Sequence, residues 1–215
     1  MKLLFIGNSH TFFNDMPHTV GELFRLTGME IPDVVQLTHP GSPLTWHAGM
    51  PQTRFNLQYG HYDYAVLQDV AHPFGGRDPL MSGAAGVIGF MDRTVTTPVF
   101  YMTWASVAHP EDQQPMIDAY TEAAATYHGL LAPVGLAWSK VRYGHPEVNL
   151  YWQDGEHASP FGSYLAASAI FCAITGKRSL DPDMADAFYD EQKLDRAACA
   201  VIHAAVAEAM QEIGR

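Results

Sequence analysis

Short apolar runs alternate along the chain with stretches in which apolar residues recur every three or four positions. Continuous runs rich in β-branched and aromatic residues predict five buried strands, at Leu3–Ile6, Val34–Leu37, Tyr64–Leu67, Val99–Met102 and Val134–Ala137. The stretches between them predict helices, because their apolar residues would share one face. Strands that alternate with helices predict right-handed crossovers. We therefore expect a three-layer α/β/α sandwich with a central, mostly parallel five-stranded sheet, in one domain over residues 1–215.

Residues typical of helix ends predict where the helices begin and stop. Asn14 or Asp15 caps the first helix, which has Pro17 in its first turn and ends at Gly28. Further helices are expected over about 80–95, 112–131, 160–176 and 194–214. The helix over 160–176 is opened by the dipeptide Ser-Pro and closed by a glycine.

Composition and charge restrict the classes of partner. The 215 residues are 47% hydrophobic and 16% charged, which is enough for a substantial core. The formal net charge of −11, with no run of Lys or Arg, argues against nucleic acid or an anionic membrane as a partner. No apolar run reaches the roughly 18 residues of a membrane span, and residues 1–6 lack a signal-peptide pattern. We therefore expect a cytoplasmic protein, with Cys172 and Cys199 as free buried thiols.

Polar or small residues stand just after the predicted strands. Ser9 follows the first strand, Gly41 the second, Gln68 the third and Trp104 the fourth. Ligands of such sheets bind in the crevice beyond the carboxyl ends of the strands. We therefore expect these four residues to converge on one site.

The loop that begins "DGEH" carries a second polar signal. Asp154 and His157 are three residues apart, so a turn presents both to the same crevice. A serine hydroxyl is a poor nucleophile unless an imidazole takes its proton and a third group orients that imidazole. Ser9, His157 and Asp154 supply these three groups. Ser9 also has a purely structural interpretation, as part of a capping cluster with its polar neighbours.

Three blocks of the sequence resemble the SGNH hydrolases, the superfamily that includes the GDSL esterases and lipases. The blocks are "GNS" at 7–9, Gly41, and "DGEH" at 154–157, and they span most of the chain. The resemblance implies a flavodoxin-like fold. It also implies that Ser9 attacks, that His157 is general base and then general acid, and that Asp154 orients the imidazole. The N–H groups of Ser9 and Gly41 would belong to an oxyanion hole.

The chain departs from the superfamily pattern in two blocks. The usual GxND, whose asparagine is the third oxyanion donor, is absent, and the corresponding strand end reads "VLQDVAH" at 66–72. We predict that the carboxamide of Gln68 replaces that asparagine and points, with the Ser9 and Gly41 N–H groups, at one spot about 3 Å from each. Asn8 stands where the superfamily usually has aspartate, a mild change because both residues suit turns.

The 11 histidines raise the question of a metal site. None of them forms HxxxH or HExxH, and cysteines are few, so we expect neither a metal nor another cofactor. We expect His10 and His72 to line the crevice and contact substrate. Trp104 either stacks on a sugar ring or acyl chain there, or packs in the core.

The predicted chemistry is acyl transfer to water, with an ester, a thioester or an acetylated sugar as the small-molecule substrate. An acetyl or other small acyl group on a carbohydrate or similar polar metabolite is the preferred substrate, and kcat/KM should rise with pH through about 6.5, where a free imidazole loses its proton. Two alternatives remain open at this point. One is a phosphate-binding domain that uses the "GNSHT" loop, which would leave "DGEH" unexplained. The other is a non-catalytic carbohydrate-binding domain of the same fold.

Overall fold

A computed structural model describes residues 1–180 and 194–214 and contains one five-stranded sheet. The strands are β1 (Lys2–Gly7), β2 (Asp33–Thr38), β3 (Tyr64–Leu67), β4 (Thr97–Tyr101) and β5 (Leu130–Ala132). Their spatial order is β2-β1-β3-β4-β5, and every pairing is parallel. The predicted α/β architecture is therefore confirmed. The change of direction on either side of β1 puts the end of that strand at the switch point where such sheets bind ligands.

Helices surround the sheet. They are α1 (Ser9–Phe12), α2 (Met16–Leu26), α3 (Leu44–Ala48), α4 (Pro51–Tyr59), α5 (Arg77–Ile88), α6 (Gln113–Thr126), α7 (Val134–Gly144), α8 (Pro160–Thr175) and α9 (Arg196–Glu212). Single 3-10 turns span Phe13–Asp15 and Pro110–Asp112. None of the helices in the described ranges is long and apolar enough to cross a membrane.

The two faces of the sheet bury different helices, because successive strand residues point to opposite sides. Leu3 and Phe5 pack in the cluster that includes α2, α7, α8 and α9. Leu4 and Ile6 pack in the cluster that includes α3, α5 and α6. The helices therefore form two outer layers around the sheet. Cys172 and Cys199 are free and buried within the first cluster, as expected.

The predicted end signals are confirmed for α8 and only partly for α2. The hydroxyl of Ser159 accepts a hydrogen bond from the Gly162 N–H at 3.2 Å, and Gly176 closes α8 with a φ of 71°. Asp15 occupies the capping position of α2, but its side chain makes no capping hydrogen bond. The side chain of Asn14 is used elsewhere, as described below.

The predicted fifth strand is wrong. Val134, Ala137, Trp138 and Val141 are buried at positions i, i+3, i+4 and i+7, which is a helical repeat, and they form the inner face of α7. The strand lies just before, over Leu130–Ala132, where the helix predicted over 112–131 has already ended at Thr126. The helix predicted over 80–95 runs instead over Arg77–Ile88. Among the helices of the described ranges, four were not predicted, namely α1, α3, α4 and α7.

Candidate active site

Ser9 is delivered by a sharp turn at the end of β1. The side-chain oxygen of Asn8 caps α1 by accepting the His10 N–H at 3.1 Å, which makes Ser9 the first residue of that helix. Gly7 precedes the turn, and a Cβ at this position would collide with the side chains of Thr11 and Gln68. Glycine is therefore required for the close packing under the serine.

The structure brings Ser9, His157 and Asp154 into one hydrogen-bonded chain. Ser9 Oγ lies 2.8 Å from His157 Nε2, and His157 Nδ1 lies 2.7 Å from Asp154 Oδ2. Because an ionised carboxylate only accepts, Nδ1 carries the imidazole proton and Nε2 is left to accept the serine proton. This is the geometry that activation of a serine hydroxyl requires.

Asp154 is held in its ionised form by hydrogen bonds. Partial burial would raise its pKa, but the N–H groups of Glu156 and His157 each donate to Oδ1 at 2.9 Å, and the His157 ring donates to Oδ2. Together these bonds lower the pKa of Asp154 to about 2. The carboxylate therefore stays charged at neutral pH and can stabilise a positive imidazole beside it.

The loop that contains Gly41 is tied to the ends of β1 and β3. Gly41 has a φ of 65°, a left-handed conformation that favours glycine. Asn8 Nδ2 donates to the Ser42 carbonyl at 3.3 Å, and Asp69 Oδ1 accepts the Leu44 N–H at 2.8 Å. Burial raises the pKa of Asp69. These bonds fix the position of Gly41 beside the serine turn.

The structure contradicts the predicted role of Gln68 as an oxyanion donor. Its side chain is fully buried, and Oε1 accepts from the Asn8 N–H at 2.8 Å and from Thr11 Oγ1 at 2.9 Å. The amide nitrogen donates to the Asp69 carbonyl. The carboxamide occupies the space beside Gly7, which lacks a side chain, and it points into the core instead of toward the crevice.

Trp104 also lies in the core, so the core-packing alternative holds for this residue. It is fully buried and stacks on Trp138 with ring centroids 3.8 Å apart, and its Nε1 donates to the Glu156 carbonyl at 2.9 Å. Trp104 supports the loop that carries His157 and offers no surface to a substrate.

His10 and His72 form a histidine cluster with His157, but they are less accessible than expected. The His10 ring lies 4.9 Å from each of the other two rings. His10 is only 7% exposed, and its Nε2 and that of His72 are buried. The buried His10 ring therefore contacts the catalytic groups by stacking on His157, whereas His72 remains partly exposed. The described residues include no group of three His, Cys, Asp or Glu placed to hold a metal.

A mainly apolar pocket of about 290 Å³ lies beside the Gly41 loop. Its lining includes Trp46, which is 37% exposed and whose ring lies 4.6 Å from that of His39. His47, on the same helix α3, is buried and has its Nε2 2.9 Å from the Gly7 carbonyl. Burial lowers the pKa of His47, so that a neutral ring donates to this carbonyl.

Sequence reasoning missed several residues that shape the site. Asp69 and His47 anchor the Gly41 loop, and Phe13 stacks on the His157 ring at 4.5 Å. Asn14 was predicted only as a helix cap. No local pattern indicates these contacts, because each of them joins segments that are distant in sequence.

Solved structures similar to this chain share its fold. A protein from Slackia heliotrinireducens described as an SGNH hydrolase aligns with a TM-score of 0.68 and 27% identity, over 81% of this chain and 98% of the other. A DUF4886 family protein from Bacteroides uniformis aligns with a TM-score of 0.77 and 18% identity, over 98% of this chain and 95% of the other. An acetyl xylan esterase aligns with a TM-score of 0.64 and 15% identity, over 81% of this chain and 100% of the other. No family model matches the chain, and no curated protein matches its sequence.

The fold and these similarities define a hydrolase of flavodoxin-like α/β architecture. The serine lies at the end of the first strand, and the histidine comes from a loop after the last strand. The 27% identical neighbour supports the SGNH hydrolase resemblance that the sequence blocks indicated.

Proposed function

We propose that the protein is a serine esterase that hydrolyses small acyl esters through Ser9, His157 and Asp154. The observation that carries the proposal is the unbroken hydrogen-bonded chain from Ser9 Oγ to Asp154 Oδ2, with links of 2.8 and 2.7 Å. A phosphate-binding or carbohydrate-binding domain would have no use for an imidazole held in this tautomer. The esterase proposal accounts for "GNS" and "DGEH" together.

In the first half of the reaction, Ser9 Oγ attacks the ester carbonyl carbon while its proton passes to His157 Nε2. The resulting tetrahedral intermediate collapses, and the leaving alcohol takes the same proton from the imidazolium. Asp154 holds the ring and stabilises its positive charge throughout. The product of this half is an acyl group bonded to Ser9 Oγ.

In the second half, water attacks the acyl carbon and gives a proton to His157 Nε2. Collapse of the second intermediate releases the carboxylic acid and returns the proton to Ser9. In both halves the negative oxygen needs preorganised donors, each typically contributing about 3 kcal/mol to lowering the barrier. We assign this role to the N–H groups of Ser9 and Gly41, since the Gln68 amide is bonded in the core.

A small acyl group on a carbohydrate is the substrate class we favour. The exposed ring of Trp46 beside the Gly41 loop offers an apolar platform of the kind that packs against sugar rings. One structural neighbour is an acetyl xylan esterase, although its 15% identity with this chain is a likeness of fold alone. Trp46 thus takes the role of a sugar-stacking ring that the sequence suggested for Trp104.

A fluorophosphonate probe tests the nucleophile directly. The wild-type protein should be labelled, should release p-nitrophenol from p-nitrophenyl acetate, and should release acetate from acetylated xylo-oligosaccharides. Ser9→Ala should abolish labelling and turnover, because it removes the hydroxyl that His157 Nε2 activates. Ser82→Ala, which removes an exposed hydroxyl on α5, is the matched control and should behave as wild type.

Two outcomes would contradict the proposal. Labelling that persists in Ser9→Ala would place the reactive group elsewhere. A folded wild-type protein that is neither labelled nor active on any of these esters would favour a binding domain on the same fold.

A further inference from the structure

Two rings stack on the imidazole of His157, and both come from the segment that carries Ser9. The Phe13 ring lies 4.5 Å away with an interplanar angle of 23°, and the His10 ring lies 4.9 Å away with an angle of 22°. Phe13 is the residue that caps the end of α1. The segment that supplies the nucleophile therefore also contacts the face of the base.

The next residue, Asn14, ties the same segment to the chain just after His157. Its Nδ2 donates to the Ala158 carbonyl at 3.0 Å and to Ser163 Oγ at 2.8 Å. Asn14 has a φ of 51°, a left-handed conformation that asparagine tolerates better than most residues. This conformation aims the amide at the histidine loop instead of at the start of α2.

Both contacts bear on the proton transfer. When His157 takes the serine proton it becomes a cation, and a cation beside the face of a phenyl ring is stabilised by the ring's quadrupole. The transfer also depends on alignment, since small misplacements of a catalytic group cost large factors in rate. The Phe13 ring can stabilise the cation, and the Asn14 bond to the Ala158 carbonyl can hold the histidine in alignment.

We propose that Phe13 and Asn14 are positioning residues for His157, Phe13 by stacking on the imidazole and Asn14 by anchoring the Ala158 carbonyl to the serine segment. The inference rests on the proposed esterase function. Neither residue touches the reacting atoms, and each acts through His157.

The other titratable groups that face His157 are Asp154, His10 and His72. Asp154 is ionised, as described above, with its pKa at about 2. Burial lowers the pKa of His10 to about 3 and that of His72 to about 4, and the mutual repulsion of the cluster adds to this effect. Near neutral pH these three groups do not titrate, so none of them produces a shift in the acid limb of the activity profile.

The first test compares Phe13→Leu with Phe13→Tyr, using p-nitrophenyl acetate. Leucine keeps apolar bulk and removes the ring face, so kcat should fall about ten-fold while KM stays within about two-fold. The midpoint of the acid limb of kcat/KM should move to lower pH, because the imidazolium loses stabilisation. Tyrosine keeps the ring and should restore both kcat and the midpoint.

The second test compares Asn14→Gly with Asp15→Gly. Both positions have positive φ, at 51° and 52°, so glycine suits the backbone of each. Only Asn14→Gly removes side-chain bonds to the histidine loop, and it should lower kcat about ten-fold with KM little changed. Asp15→Gly should leave kcat at the wild-type value, because the Asp15 side chain makes no capping bond.

Proton NMR provides a measurement that does not depend on turnover. The proton shared by His157 Nδ1 and Asp154 should give a downfield signal, which Asp154→Asn identifies by removing it. In Asn14→Gly this signal should broaden through faster exchange. Wild-type kcat and midpoint in Phe13→Leu, or an unchanged NMR signal together with wild-type kcat in Asn14→Gly, would overturn the inference. Absence of Ser9-dependent activity in the wild type would instead overturn the proposed function.

Discussion

Asn8 shows how a single side chain can organise the region around the serine. Its backbone N–H donates to Gln68 Oε1, its side-chain oxygen accepts the His10 N–H, and its amide nitrogen donates to the Ser42 carbonyl. An aspartate, which the superfamily usually has here, offers no donor for that carbonyl. The asparagine therefore links the serine turn to the Gly41 loop in a way that aspartate would not.

Replacement of Gln68 by methionine should reduce stability more directly than it reduces catalysis. Methionine matches the length of the side chain but leaves the buried Asn8 N–H without its acceptor. An unpaired buried donor costs about 1–3 kcal/mol, so the free energy of unfolding in urea should fall by about that amount. Any fall in kcat should follow from displacement of the serine turn.

The control for this prediction is Gln36→Met, at an exposed position on β2. It should change the free energy of unfolding by less than about 0.5 kcal/mol. A large loss of kcat in Gln68→Met with wild-type stability would contradict the prediction. It would support the role of the Gln68 amide as an oxyanion donor.

At the scale of elements, the loop 152–157 is held against the segment 104–107. The Val107 N–H donates to the Gly155 carbonyl at 2.8 Å, and Trp104 Nε1 donates to the Glu156 carbonyl. Arg142 on α7 braces the same segment, with its guanidinium donating to the carbonyls of residues 106 and 107 and to Tyr151 Oη. The histidine loop thus depends on the helix after β5 for its position.

Arg142→Met should therefore weaken catalysis as well as stability. The change removes three hydrogen bonds from a partly exposed guanidinium, so we expect a loss of about 1 kcal/mol in the free energy of unfolding. We also expect kcat to fall several-fold with little change in KM, since the histidine loop becomes less well aligned. Urea unfolding and steady-state kinetics measure the two effects.

Arg93→Met is the matched control, because the Arg93 guanidinium also donates to backbone carbonyls, those of Tyr127 and His128. These carbonyls lie between α6 and β5, away from the serine. The control should lose some stability and keep its kcat. Equal kcat values for both variants would show that Arg142 is not coupled to the site.

At the scale of the whole molecule, the histidines with lowered pKa values make stability depend on pH. His10 and His72 have pKa values lowered by burial to about 3 and about 4, whereas in an unfolded chain histidine titrates near about 6.5. Below about 6.5 the unfolded state binds more protons than the folded state, so the free energy of unfolding decreases as the pH falls. Asp154, with its pKa at about 2, adds a further loss as the pH falls from about 4 toward 2.

His10→Phe should flatten this dependence. Phenylalanine fills the buried site without a proton-binding group, so the loss of unfolding free energy between about pH 6.5 and 4 should be smaller than in the wild type. Urea unfolding at several pH values measures it. His18→Phe, at an exposed position, is the matched control for the substitution, and an unchanged slope in His10→Phe would contradict the assignment of a buried neutral ring.

Much of the fold could be predicted because its signals are local. The runs that form β1 to β4, the Ser-Pro start of α8 and the glycine that ends it all depend on residues within a few positions of one another. The fifth strand was misplaced because Val134, Ala137 and their neighbours suit a short apolar run as well as a helix. Only the packing of Trp138 and Val141 on the core distinguishes the two.

The sequence by itself determined the first four strands and the ends of the helix after "DGEH", the pairing of Asp154 with His157 three residues later, and the turn that presents Ser9. The tertiary structure decided which distant groups meet, because contact across 148 residues depends on how the sheet and its helices pack. It also decided which way Gln68 and Trp104 point. The space left by Gly7 draws Gln68 into the core, and the ring of Trp138 holds Trp104 there, so neither side chain reaches the crevice at the strand ends.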